Sequence, residues 1–218
     1  WGRAGERNTL GGSATGFKLW GSHTARVRNN VSCNNANWDY EYFGGGPIEE
    51  FSGNTGYGSL ESFTTWFING ADTGSPNPSA PQCVLKDYHC WHHGRTGVGL
   101  GYPSFNITFD GCVGRNDCAN PIGHGFRYGD YELRHGIAVN SSIQGYGVGI
   151  ETPFKQGSET WGSTPTQWFT VEHTDLRNNI NVWYGNSRLS GGSGSVVPAK
   201  GLVLRDPDWA PLPGGVNL

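Results

Sequence analysis

Among 218 residues there is no methionine, only 15% carry a charge, and no apolar run reaches the length of a bilayer. The missing apolar run excludes a membrane-spanning helix. Sparse charge excludes a highly charged disordered chain. A net charge of −3 predicts no general attraction to nucleic acid or to an anionic membrane. Reaction signatures are missing too, with no GxSxG elbow, no HExxH and no EF-hand loop. The run GVGLG (97–101) lacks the lysine and helix start that a phosphate loop requires. The start at Trp1 reads as a processed or excised segment of a larger protein.

Cysteine is scarce, and its count is odd: Cys33, Cys83, Cys90, Cys112 and Cys118. At least one therefore has no partner within the chain. No tight CxxC pair suggests zinc, and no metal ligand set is assigned. The spacings Cys83–Cys90 and Cys112–Cys118 suit disulfides in small surface loops, which would need an oxidising compartment. Glycosylation sequons at Asn30, Asn106 and Asn140 point the same way, to an extracellular or cell-surface glycoprotein.

What is abundant is glycine, at 36 residues, together with nine Trp, nine Tyr and ten Phe. Large rings to bury and many residues that turn a chain suit short strands and tight turns rather than helices. The length predicts one domain over residues 1–218.

A repeat then decides the fold class. Seven segments place an apolar residue before polar or small ones: ARVRNN (25–30), EEFSGN (49–54), VLKDYH (84–89), TFDGCV (108–113), ELRHGI (132–137), TVEHTD (170–175) and VLRDPD (203–208). Their anchors are Val27, Phe51, Leu85, Phe109, Leu133, Val171 and Leu204, separated by 24, 34, 24, 24, 38 and 33 residues. The longer steps hold turn-rich stretches, NGADTGSPNPSAPQ (69–82), PFKQGSETWGSTPTQ (153–167) and NSRLSGGSGSVVPA (186–199). Without them the repeat is close to 24 throughout. A second strand series lies between the anchors, at 16–20, 38–43, 98–102, 125–129, 147–151 and 181–185. Short strands in a coil of this length bury an inner face only by stacking on the next coil. An antiparallel sandwich or propeller would need hairpin turns that the short loops do not resemble. The expectation is an all-β right-handed parallel β-helix, a solenoid of about seven coils with three loop insertions. Asn30 and Asn54 then fall at one place in successive coils, where a turn residue bonds its stacked equivalent.

The phrases RNNVSCNN, PIEEFSGNTGYGS, VLKDYHCWHHGRTGVGLG and NITFDGCVGRND, within residues 25–118, resemble the β-helix region of the fibrocystin-L and cell-surface hyaluronidase group. More broadly the whole chain is similar to pectate-lyase-like β-helices. The resemblance implies an extracellular, glycan-facing setting and, for some members, hyaluronan breakdown.

Repeat register proposes a functional face. If a turn begins after each anchor, Lys86, Asp87, Asp110, Arg134, His135, Glu172 and His173 cluster along about four coils. Asp87, Asp110, Arg134 and Glu172 would be the catalytic set of a lyase or hydrolase, by proton abstraction or by a carboxylate pair. Lys86, His135 and His173 would bind glycan, with His135 and His173 at equivalent coil positions. Carboxylates here would take calcium to bridge an acidic sugar; no other cofactor is implied. The plainer account is a solvated face of alternating charges. In the loops, Trp161 and Trp183 would stack on sugar rings, or would cover the column. In HCWHHGR (89–95) the expected arrangement is a turn with Trp91 against the rod and both His92 and His93 exposed.

Two functions follow as expectations. The first is an extracellular module of a surface or matrix protein, a rigid scaffold that contacts polysaccharide, flanking domains or other subunits, with no nucleic acid and no membrane insertion. Bare β-helix ends expose unpaired backbone, which favours flanking domains or end-to-end association. The second is an enzyme that degrades an acidic polysaccharide.

Overall fold

A computed structural model describes residues 14–20, 26–43, 48–66, 82–101, 104–116, 123–128, 133–151, 154–155, 169–183, 197–198, 202–205 and 208–209. The first coil is β1 (Phe17–Trp20), β2 (Arg26–Arg28) and β3 (Val31–Cys33). The second is β4 (Trp38–Phe43), β5 (Glu50–Ser52) and β6 (Thr55–Tyr57), and the third β7 (Glu61–Trp66), β8 (Cys83–Lys86) and β9 (His89–Trp91). The fourth is β10 (Thr96–Gly101), β11 (Ser104–Asp110) and β12 (Val113–Arg115), and the fifth β13 (His124–Tyr128), β14 (Leu133–Val139) and β15 (Ser142–Gln144). The sixth begins with β16 (Val148–Glu151), carries the extra β17 (Phe154–Lys155), and continues through β18 (Phe169–Glu172) and β19 (Asp175–Arg177). The seventh is β20 (Ile180–Trp183), the extra β21 (Val197–Pro198), β22 (Leu202–Arg205) and β23 (Asp208–Trp209).

Each coil contributes one strand to each of three seven-stranded sheets, here A, B and C, and neighbours in every sheet run parallel. The chain is therefore a right-handed parallel β-helix. Seven strands at about 4.8 Å give each sheet a width of about 30 Å.

The corner from B to C explains the short repeats. It takes two residues, and the first is left-handed in coil after coil: Asn29, Gly53, Asp87, Gly111, Asn140 and His173, with φ between 45° and 66°. Glycine, Asn and Asp tolerate that conformation best. The side chain of Asn29 lies where Gly53 would carry a Cβ, and Asp87 Oδ1 lies 2.6 Å from that place on Gly111. The second corner residue is tied across coils. Asn54 Oδ1 accepts from Asn30 N at 3.0 Å and from Asn30 Nδ2 at 3.2 Å, as the stacked-Asn expectation requires.

Inside, one apolar column runs Val27, Phe51, Leu85, Phe109, Ala138 and Val171 along sheet B, and Leu204 continues its register by pairing with Val171. Six of the seven expected anchors sit on it. The seventh is corrected, because Phe109 pairs with Ala138 while Leu133 pairs with Ser104. The true steps there are 29 and 33 residues, from 109 to 138 and from 138 to 171. The chain between β10 and β11 is short, whereas β14 begins five residues before its stacked anchor, so a repeat counted on spacing slips. Sheet A contributes the column Phe17, Tyr40, Phe63, Val98, Phe126, Ile150 and Val182. The rings of Phe51, Phe63 and Tyr88 meet edge-on at 5.0 to 6.1 Å.

After β1, each sheet A strand bends between its first and second paired positions. The bend residues are Asp39, Ser62, Gly97, Gly125, Gly149 and Asn181. They face inward, and three are glycine for a steric reason. A Cβ on Gly97 would lie 2.7 Å from the Gly125 carbonyl, and one on Gly125 would lie 2.6 Å from that of Gly149.

All three expected insertions fall between a sheet A strand and the next sheet B strand. The second and third touch through β17 and β21, which pair antiparallel. Their remaining parts, with Trp161, lie outside the described residues. The cysteine expectation is corrected. Cys83, Cys90 and Cys112 are buried in the column as free thiols, and Cys33 is free and half-buried; Cys118 lies outside the described residues. Burial pushes the Cys83 thiol up to about 11 and the Cys90 thiol up to about 12. These are core residues, not loop staples.

Candidate functional site

The residues expected on one face separate into three groups. Lys86 and Asp110 are stacked neighbours on sheet B, but the next rung holds Val139, and Glu172 follows it. Asp110 Oδ1 accepts from Asn140 Nδ2 at 2.9 Å, and Glu172 lies 3.6 Å from His173 Nε2. Asp87 and His173 occupy the left-handed corner, three rungs apart with Gly111 and Asn140 between them. Asp110 and Glu172 are two rungs apart, about 10 Å along the sheet.

Arg134 and His135 are corrected out of this set. Arg134 stacks on Phe105, five residues before Asp110 on the same strand, and His135 therefore does not share a coil position with His173, whose stacked neighbour is Asn140. Of the sequon residues, Asn106 is buried with φ 53°, Asn30 is engaged in the corner ladder, and Asn140 is exposed. Trp183 ends β20 opposite Glu151.

HCWHHGR also folds differently from expectation. His92 is exposed and left-handed, with its ring 5.6 Å from that of Tyr57, but His93 turns inside. There His93 Nε2 lies 3.1 Å from Asp39 Oδ2, both side chains sealed from solvent. Asp39 also accepts from Ser59 Oγ at 2.6 Å and Asn35 Nδ2 at 2.9 Å, while Ser62 bridges to the hydroxyl of Tyr88. Burial raises the Tyr88 phenol well above its ordinary range. No solute reaches this interior cluster, so its role is structural.

The best candidate site is the outer face of sheet A, which the anchor-based reading passed over. Two columns of side chains stand on it. One runs Trp38, Glu61, Thr96 and His124; the other runs Lys18, Glu41, Thr64, Gly99, Arg127 and Glu151. Both project to one side because the strands bend between them. Glu61 Oε2 accepts from Trp38 Nε1 at 3.1 Å, and Glu61 Oε1 pairs with Arg95 at 3.2 Å. That carboxylate reaches over to the next strand, 3.5 Å from where Gly99 would carry a Cβ. Two rungs beyond Gly99, Glu151 Oε2 is held by His124 Nε2 at 3.1 Å and Arg127 Nε at 3.2 Å. At the first rung Glu41 pairs with Lys18 at 3.4 Å.

Two features give this face chemistry. The Glu61 and Glu151 side chains are only 12% and 5% exposed, so their charges act in a partly desolvated setting. Between Glu61 and His124, the Thr96 hydroxyl is buried and has no hydrogen-bond partner. Beside it Gly99 leaves the face without a side chain. Thr96 itself is sealed from solvent, its methyl 3.6 Å from the place of a Cβ on Gly99, so an incoming polar group meets first the more exposed Lys18, Arg95 and His124 of these pairs. Among the described residues no three His, Cys, Asp or Glu side chains converge to hold a metal ion.

The signal for this face was present in the strand series. HGFRY and VGIE place Arg127 and Glu151 at the same step after an apolar residue, and alignment of those strands, rather than the anchors, brings them together. The strand ESFTTW, which supplies Glu61, carries no such plain alternation. No family model matches the chain, and neither the curated proteins nor the solved structures contain a match.

Proposed function

We propose that this β-helix is an extracellular scaffold that binds polysaccharide across the outer face of sheet A. The observation that carries the reading is the row of charged pairs along that face, Lys18 with Glu41, Arg95 with Glu61, and His124 and Arg127 with Glu151, in which Lys18, Arg95 and His124 reach solvent. Carboxylates and cations in such a row suit the several hydroxyls of a pyranose ring. Parallel strands at a regular spacing make a rigid, repetitive surface, which suits a repetitive ligand. The sequence resemblance to the fibrocystin-L and cell-surface hyaluronidase group supports the same setting.

Binding of neutral and uronate-bearing oligosaccharides, followed by calorimetry, tests it. Arg95→Gln removes the most exposed cation of this face, and a lost hydrogen bond to a charged group of about 1.5–3 kcal/mol weakens binding about tenfold or more. Unchanged affinity in that variant, with the parent binding, rejects the site.

A second reading rests on the two carboxylates. Glu61 and Glu151 belong to strands three rungs apart, about 14 Å, and each carboxylate leans toward the other, that of Glu61 to the rung of Gly99 and that of Glu151 to the rung of His124 and Arg127, towards the separations at which carboxylate pairs hydrolyse glycosidic bonds. New reducing ends that appear with the parent and vanish in Glu151→Gln would make the face catalytic. Binding without cleavage leaves the scaffold reading standing alone.

A further inference from the structure

We infer a second binding face on sheet C, built to take an acidic oligosaccharide lying along the rod axis. The strands of this sheet are three residues long, and in β3, β6, β9, β12, β15 and β19 only the middle one points inward. The last residue of each strand forms an outward column: Cys33, Tyr57, Trp91, Arg115, Gln144 and Arg177. Two aromatic rings on adjacent rungs are thus followed by three long polar side chains.

The core needs nothing from these rings. Tyr57 is 37% exposed, and its ring meets Trp91 at 6.0 Å and 67°, and His92 at 5.6 Å and 80°. Edge contacts of this kind hold the rings upright, an edge covering one face of its neighbour and leaving the other open. The rungs that carry them lie about 4.8 Å apart, and the ring centres 6.0 Å. The rung spacing is close to the advance of one pyranose unit in an extended chain, so neighbouring sugars meet neighbouring rungs.

The polar end selects charge. From β3 to β19 the outward residues of sheet C include one carboxylate, Asp175, and it is already bonded to Arg177 Nε at 2.9 Å and Gln144 Nε2 at 2.6 Å. Arg115 is exposed and reaches Gln144 Oε1 at 3.5 Å, through one of its five N–H groups. A guanidinium one rung beyond Trp91 is placed to take a carboxylate bidentately while the sugar bearing it, or its neighbour, stacks on the indole. Planar apolar faces followed by a cation fit a uronate-bearing chain better than a neutral one.

The probe is a glucuronate-containing hexasaccharide and the same chain with its carboxylates reduced to alcohols. Binding is read by calorimetry and by quenching of tryptophan fluorescence in the full chain. The expected result is that Trp91→Ala weakens binding of the acidic chain at least tenfold. Arg115→Gln is expected to remove most of the preference for the acidic chain over the reduced one. Both substitutions are on the surface, and Trp91→Phe, which keeps a ring, is expected to retain most affinity. Arg95→Gln, on the other face, leaves this contribution unchanged. If Trp91→Ala and Arg115→Gln bind both probes like the parent, the sheet C face is refuted, and loss in Arg95→Gln alone would leave the sheet A reading intact. Equal binding of the acidic and reduced chains by the parent also overturns the inference.

Discussion

Removing the carboxylate of Asp39 tests how the interior is held, and its effect can be worked out bond by bond. Asn35 Nδ2 keeps a second acceptor in Ser32 Oγ at 2.8 Å, and Ser62 keeps Tyr88. Ser59 and His93 do not fare so well. His93 would have both ring nitrogens buried and unpaired, since Nδ1 already has no partner. Two orphaned groups at about 1–3 kcal/mol each, plus a small cavity, give about 3–5 kcal/mol for Asp39→Ala. Asp39→Asn keeps the volume and one acceptor, and about 1–3 kcal/mol is expected. His93→Ala is expected to lose about 2–5 kcal/mol. Because the two residues share one contact, the double variant should recover about 1–3 kcal/mol of the summed losses. Urea unfolding followed by far-ultraviolet circular dichroism reads this directly. With a slope of about 2–3 kcal/mol per molar, Asp39→Ala moves the midpoint by about 1–2 M. A loss under about 1 kcal/mol, or strict additivity of Asp39→Ala and His93→Ala, would refute the buried pair.

Three further predictions use the same interior. Cys83, Cys90 and Cys112 should resist iodoacetamide in the native protein and react on denaturation, while half-buried Cys33 reacts first; peptide mapping by mass spectrometry distinguishes them. Burial pushes the Tyr42 phenol up to about 12 and raises those of Tyr88 and Tyr146 further, so their contribution is whole below the ordinary phenol range and lost above it. Stability should therefore fall as pH rises from about 10 towards 12, with the phenolate absorbance of these groups appearing only on unfolding. Finally, two glycines two positions apart should behave oppositely. Gly97→Ala drives a Cβ to 2.7 Å from a carbonyl oxygen and is expected to lose about 1–3 kcal/mol, whereas Gly99→Ala meets nothing nearer than 3.5 Å and should be neutral or mildly stabilising.

The coil was legible because stacking imposes equal spacing on residues that must meet. Val27, Phe51, Leu85, Phe109, Val171 and Leu204 all lie on one column for that reason. Leu133 misled because β14 is seven residues long and offers several apolar or small positions, so spacing alone picks the wrong one; only pairing shows that Ala138 faces Phe109. That slip of five residues carried Arg134 and His135 with it. His93 misled for a different reason. A histidine in a turn motif reads as exposed, and nothing local reveals that Asp39, 54 residues earlier, stands in the interior to receive it. Cysteine spacing misled similarly, since positions seven apart suggest a loop, while here they belong to inward positions on two different sheets.

The bend in sheet A connects these observations to function. Because the strands after β1 turn between their first and second paired positions, residues three apart, such as Thr96 and Gly99 or His124 and Arg127, come to the same side of the sheet. A straight strand would send them to opposite faces, and the strict alternation assumed from sequence does so. The bend itself depends on close approach of the backbones at Gly97, Gly125 and Gly149, where a side chain has no room. Coils that instead carry Asp39 and Ser62 at the bend fill the same space with a hydrogen-bonded cluster. The glycine positions inside the rod and the charged groups outside it are therefore one design: widening the bend at Gly97 should not only destabilise the coil but also part Glu61 from Thr96 and His124, and weaken saccharide binding on sheet A while leaving the short, straight strands of sheet C unaffected.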